Sequence, residues 1–138
     1  LPHYNADALA TSLAENGIDY WHLDELCGRR ATRELDGAAP AAFWSNASFA
    51  RYAAYARGDA FANGLHALVQ RARRQRCAVM CSEAVWWRCH RRIITDHLLA
   101  LGVSVCHIMG PGKVVAATLT RGAEVRDEEV IYPQPEVA

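Results

Sequence analysis

Between Cys81 and Arg92 the chain gathers two cysteines, a glutamate, a histidine and three arginines in twelve residues. An ionised thiol is a nucleophile, a carboxylate or imidazole moves protons, and a guanidinium group holds an anion. Cys81, Glu83, Cys89 and His90 are therefore the candidate catalytic set, with Arg91 as an anion-binding side chain beside them. Cys89, among Arg88, Arg91 and Arg92 near the start of an expected helix, should ionise below the ordinary thiol value. Glu83 lies in the turn before that helix, where it can orient His90, exchange a proton or pair with an arginine. The plainer reading is a buried cysteine pair and an Arg–Glu network that fixes the turn.

Around this cluster stand residues of lesser claim. Arg29, Arg30 and Arg33, with His22 upstream, form a second basic group expected to face the same crevice, although a solvated charge run reads the same way. Trp86 and Trp87 can stack on a base or a ring, or simply sit half-buried. Arg92 has Asp96 one turn on and is expected to pair with it at the surface. Cys77 and Cys106 fall inside apolar runs and read as core. His97 reads as a satisfied core histidine, and His107 as the end of a strand near the site.

Two specific chemistries fit poorly. Thiol phosphatases and sulfurtransferases place an arginine six positions after the cysteine, within a tight loop of backbone amides. Position 87 is tryptophan, Arg88 comes one residue late, and no glycine lies between. Compact zinc sites favour cysteines two to four residues apart, whereas Cys81 and Cys89 are eight apart and the adjacent Cys89 and His90 diverge on a helix. No metal site and no cofactor is expected.

Periodicity indicates the elements that carry these residues. Asn5 can cap a helix to about Asn16, and 18–23 alternates as a short strand. The segment 27–40 is polar and glycine-punctuated, so it reads as a long loop, which in compact domains is often functional. Ser45 or Asn46 can cap a second helix to about Ala56. Phe61, Leu65, Leu68 and Ala72 repeat at helical spacing. The spacing then predicts a buried strand over 77–81, a helix over 85–101, a strand over 103–109, a turn at 110–112 and an antiparallel return over 113–119. His90, Ile94, His97 and Leu101 would share one helix face, aiming His90 at the end of the 77–81 strand. Strand, helix, strand from 77 to 109 predicts a right-handed βαβ unit. The expected fold is α/β, a three-layer-like sandwich with a mixed, mainly parallel sheet and an edge hairpin. It would be one domain over 1–126, with 127–138 a poorly ordered tail.

The chain as a whole sets limits. Its 138 residues are ordinary for one domain. Fifteen basic residues balance fifteen acidic ones, and fourteen of the fifteen are arginine. No net field thus draws it to nucleic acid or a membrane. No apolar run approaches a membrane span and no signal peptide is visible. Five irregularly spaced cysteines suit reduced thiols in a cytoplasm.

Cys81-x-Glu83 followed after five residues by Cys89-His90-Arg91 resembles the signature of the DUF488 family, a bacterial and archaeal domain of unknown function. Further matches are the helix start at Asn5 to Leu9, the Gly17 to Tyr20 run, and Leu23-x-x-Leu26 leading to Gly28, Arg29 and Arg30. Phe49-x-x-Tyr52 and the His107-Ile108 pair also match. Family members usually begin earlier, with one strand ending in Thr-Ile-Gly-His and another in Asp-Val-Arg. Neither is present here, and Cys27 stands where the family's loop has its first glycine. The resemblance implies a fold without implying an activity. The functional expectation is a thiol-dependent enzyme acting on a small anionic or nucleotide-like substrate. Cys89 or Cys81 would be the nucleophile, His90 or Glu83 the acid/base, and Arg91 with Arg29 or Arg30 the anion clamp. Trp87 would face the ligand. The alternative is a non-catalytic nucleotide or nucleic-acid binding module with structural thiols.

Overall fold

A computed structural model describes residues 5–35 and 42–134. Four α-helices dominate it: α1 (Ala6–Glu15), α2 (Ala47–Tyr55), α3 (Asp59–Ala72) and α4 (Arg91–Ala100). Two separate antiparallel hairpins complete it, β1 (Cys106–Gly110) with β2 (Lys113–Ala116), and β3 (Glu124–Arg126) with β4 (Glu129–Ile131). Asn46 caps α2 as its side chain demands, Oδ1 accepting from the backbone N–H groups of Ser48 and Phe49 at 2.8 and 3.2 Å.

The core is helical. Tyr52, Phe61, Ile93 and Ile94 are almost fully buried, and Leu26, Leu35, Leu65 and Leu98 close around them. On α3 the expected Phe61, Leu65 and Leu68 are buried, whereas on α4 Ile93 joins Ile94 and Leu98 inside and Leu101, expected on the inner face, is exposed; α2, α3 and α4 share one interior. No residue of α1 is fully buried.

The expected mainly parallel α/β sandwich is not formed. Among the described residues every strand pairing is antiparallel and local, and the βαβ unit is absent. The reason is backbone pairing. Residues 76–80 and 18–23 are not helical, yet neither has a ladder partner, and a strand without a partner leaves its N–H and C=O groups to solvent. Val79 and Met80 are accordingly exposed. The expected return over 113–119 does form, as β2, because a tight turn at Pro111 and Gly112 needs no distant partner; Gly112 supplies the left-handed backbone there at φ 69°. Facing the unpaired run 77–79, residues 103–109 form the other wall of a slot of about 270 Å³, with Leu68, Ile94 and Leu98 also among its lining.

Residues 124–132, much of which the sequence assigns to a tail, form the second hairpin and dock on α4. Asp96, 1% exposed, accepts from the Thr120 backbone N–H at 2.9 Å and the Tyr132 hydroxyl at 2.7 Å. It forms no ion pair with Arg92. Arg92 donates instead to the Thr120 hydroxyl at 3.2 Å and lies over the Trp44 ring.

Candidate functional site

The link from residue 81 to α4 is a string of turns rather than a helix. The helix expected from 85 begins only at Arg91, and Trp86–Arg88 make a single 3-10 turn. Cys89, with an extended backbone (φ −137°, ψ 174°), separates the two. This kink folds the segment back so that Cys89 meets Cys81, their sulfurs 3.4 Å apart.

Backbone and side-chain donors surround both sulfurs. The Glu83 N–H points at Cys81 Sγ at 3.3 Å. The Arg91 backbone N–H and its Nε point at Cys89 Sγ at 3.4 and 3.0 Å. The same guanidinium donates through its other nitrogen to the Glu83 carbonyl, which locks the loop against the first turn of α4. Cys89 is buried and Cys81 half-buried. Burial pushes the Cys89 thiol up, and the hydrogen bonds from Arg91 offset only part of that rise. The expected low thiol pKa of Cys89 is therefore not found. Desolvation wins because the sulfur sits under the loop rather than in open solvent beside the arginines.

The other expected members separate. Glu83 does not touch His90; its carboxylate accepts from the Val85 N–H at 3.4 Å and so caps its own turn. His90 turns toward the 24–28 loop. It packs against Tyr52 with ring centroids 5.2 Å apart, so close to Gly28 that a Cβ there would lie 2.7 Å from Nδ1. Burial first, then the charges of Arg91 and Arg30, lower its pKa to about 4. At neutral pH it is a neutral imidazole held by packing, with no contact to either sulfur among the hydrogen bonds formed.

Arg30 is architectural. It donates to the carbonyls of Cys27 and Asp24, pairs with Glu34 at 3.2 Å and lies 4.1 Å from the Tyr55 ring centroid. Arg29, at the uncommon φ of 55°, turns the chain so that Arg30 reaches inward. Both line a hollow with Ala31, Ser48 and Arg51 that includes none of the cysteine cluster. Trp87 is 40% exposed and meets Trp86 edge-on.

Four features escaped the sequence. Trp86 stacks flat on His107 at 3.9 Å; both line the slot with Arg91, and His107 Nε2 is buried with no partner. His22 Nε2 lies 3.3 Å from Cys27 Sγ. Their five-residue separation has no helical or strand meaning, so only the fold reveals the pair. Cys77 and Cys106, expected in the core, are exposed: the run that carries Cys77 has no strand partner, and β1, which carries Cys106, pairs with β2 alone in a two-stranded hairpin. His97 packs edge-on against Phe61, but its Nε2 is buried without a partner, so it is a core histidine left unsatisfied.

Among the described residues no group of three or more histidines, cysteines or carboxylates is placed to hold a metal ion, and no helix is long and apolar enough to cross a membrane. A family model described as "Domain of unknown function DUF488" matches residues 1–98. That span contains both sulfurs and Arg91 and ends within α4. No curated protein and no solved structure matches the chain.

Proposed function

The chain belongs to the DUF488 family, whose description names no activity, and from that premise we propose a thiol-dependent enzyme with Cys81 as its nucleophile. One observation carries the reading: a half-buried sulfur lies 3.4 Å from a second sulfur that a guanidinium group holds directly. Cys81 is the more accessible of the two, and the Arg91 charge interacts with both. Cys89 serves as the partner that shares a proton and orients Cys81. His90 and Glu83 drop out of the acid/base role, since neither side chain reaches the sulfurs. Arg91 also favours a small anionic substrate, because it lies at the boundary between the sulfurs and the slot. A reducing, cytoplasmic setting keeps both thiols available.

Alkylation kinetics followed by mass spectrometry of the peptides test this. Iodoacetamide at neutral pH should modify Cys81 faster than the exposed Cys77 and Cys106, and Cys89 last. Arg91→Ala should slow Cys81 roughly tenfold, because the variant removes the positive charge beside the two sulfurs that makes an attacking thiol reactive. Inorganic phosphate should protect Cys81 in the parent protein and not in the variant. Cys81 reacting no faster than Cys77 overturns the nucleophile role.

A further inference from the structure

The two sulfurs at the site differ in a way that a single nucleophile does not require. Cys81 is reachable and Cys89 is not, yet they touch at 3.4 Å. A disulfide needs its sulfurs about 2.05 Å apart, so bonding requires an approach of roughly 1.4 Å. Neither residue is held in a helix or strand: Cys81 ends an unpaired run and Cys89 sits in the extended kink before α4. The donors that would resist closure are hydrogen bonds to sulfur, at 3.0 to 3.4 Å. These are weak and are replaceable by solvent or an anion.

We infer that Cys81 and Cys89 form a two-electron dithiol–disulfide couple that reduces a low-molecular-weight disulfide. The inference rests on Cys81 being the site's nucleophile and adds the substrate class. The steps balance within the site. The Cys81 thiolate attacks one sulfur of the substrate disulfide; that S–S bond breaks, a mixed disulfide forms on Cys81, and the first substrate thiolate leaves. The Cys89 sulfur, aligned by the two Arg91 donors, then attacks Cys81 Sγ. The mixed disulfide breaks, the Cys81–Cys89 bond forms, and the second substrate thiolate leaves. The two departing thiolates take up the protons given by Cys81 and Cys89. The protein is oxidised by two electrons and the substrate reduced by the same two.

Burial of Cys89 gives the order of events its logic. A small disulfide can reach Cys81, whereas Cys89 is shielded and can attack only a sulfur already beside it. Arg91 fits both stages. It holds Cys89 in line while that sulfur carries negative charge, and once the sulfur is bonded its donor is free for a departing anion. Cys77 and Cys106 are exposed single thiols and serve as internal controls, because each can form a mixed disulfide and neither has the same pairing geometry.

The reduced full chain should be mixed with oxidised glutathione at neutral pH, and its peptides mapped without reductant. The parent protein should accumulate a Cys81–Cys89 cross-link, lighter by two hydrogens, and release two reduced glutathiones per link formed. Cys89→Ser should stop at a glutathione adduct on Cys81, and Cys81→Ser should leave Cys89 unmodified. Dithiothreitol should restore the parent. An adduct on Cys81 in Cys89→Ser, with no cross-link in the parent, overturns the couple while the nucleophile reading stands. Adducts on Cys77 and Cys106 with none on Cys81 overturn both. Circular dichroism of each variant establishes that a missing product is not a missing fold.

Discussion

The position of His90 can be tested through Gly28, whose backbone lies against the imidazole. A Cβ built on Gly28 would lie 2.7 Å from His90 Nδ1, 3.1 Å from Cε1 and 3.2 Å from Cγ, whereas unbonded heavy atoms rest about 3.5 Å or more apart. In Gly28→Ala the ring must therefore retreat by on the order of 0.5–1 Å. Its retreat is blocked, because the imidazole packs on Tyr52. Tyr52 is itself 2% exposed and its hydroxyl donates to the Leu26 carbonyl at 2.6 Å. Gly28 has no left-handed backbone requirement, so the cost is steric alone. Overpacking of this kind costs about 1–3 kcal/mol, or a fall in Tm of roughly 3–10 °C for a chain of this size. Thermal unfolding followed by circular dichroism reads it. Combining Gly28→Ala with His90→Ala should relieve the clash, so the double variant should be more stable than the summed single losses by about 1 kcal/mol or more. Strict additivity would refute the proposed contact. His90→Ala should also leave Cys81 alkylation within about twofold of the parent; a tenfold loss would return His90 to the reacting group.

Two further outcomes arise from burial. His97 is held neutral, its pKa lowered to about 4 by desolvation alone, below the ordinary value of about 6.5. Its stabilising contribution is therefore complete above about pH 6.5 and is lost as the pH falls toward 4. At about 1.36 kcal/mol per unit the loss reaches about 2 kcal/mol by pH 5. Urea unfolding at neutral pH and at pH 5 should show this dependence reduced in His97→Leu, and an unchanged dependence refutes the assignment. Tyr52→Phe removes the donor to the Leu26 carbonyl and should cost about 1 kcal/mol in the same assay, with α-helical content unchanged; a neutral effect would mean that the hydroxyl bond adds nothing net.

What the sequence disclosed and what it concealed divide along a physical line. Helices carry their pairing within themselves, so α1, α2 and α3 were legible from periodicity, α2 also from its Asn46 cap, whereas the Asn5 side chain makes no capping bond to α1; the hairpin of β1 and β2 was legible from its turn. A strand's state depends on a partner elsewhere. The run 77–81 has the composition of a buried strand, and nothing local tells that it will stand unpaired and exposed. The site shows the same division. Cys81, Cys89 and Arg91 were legible as a cluster, and the structure brings them into contact. The kink at Cys89 was not legible, because Val85 to Ile94 is acceptable helix composition throughout. That kink turns His90 onto Tyr52 and Gly28 and leaves Glu83 capping its own turn. Charge alone marks Arg29 and Arg30 in the sequence, but Arg30's partners Cys27, Asp24 and Glu34 are set by loop geometry.

Asp96 ties α4 to residues beyond the span that matches the family. The match to the family stops at residue 98, yet the groups this carboxylate receives come from Thr120 and Tyr132. A buried acceptor that loses both donors is left desolvated and unpaired, which is costly, so α4 depends on residues well downstream of it. The stretch after residue 98 therefore behaves as a clasp on the inherited helices rather than an appendage to them. Opening of the clasp and loosening of α4 should occur as one event, placing the start of the helix that carries Arg91 in the same cooperative unit as a hairpin outside the region of family likeness.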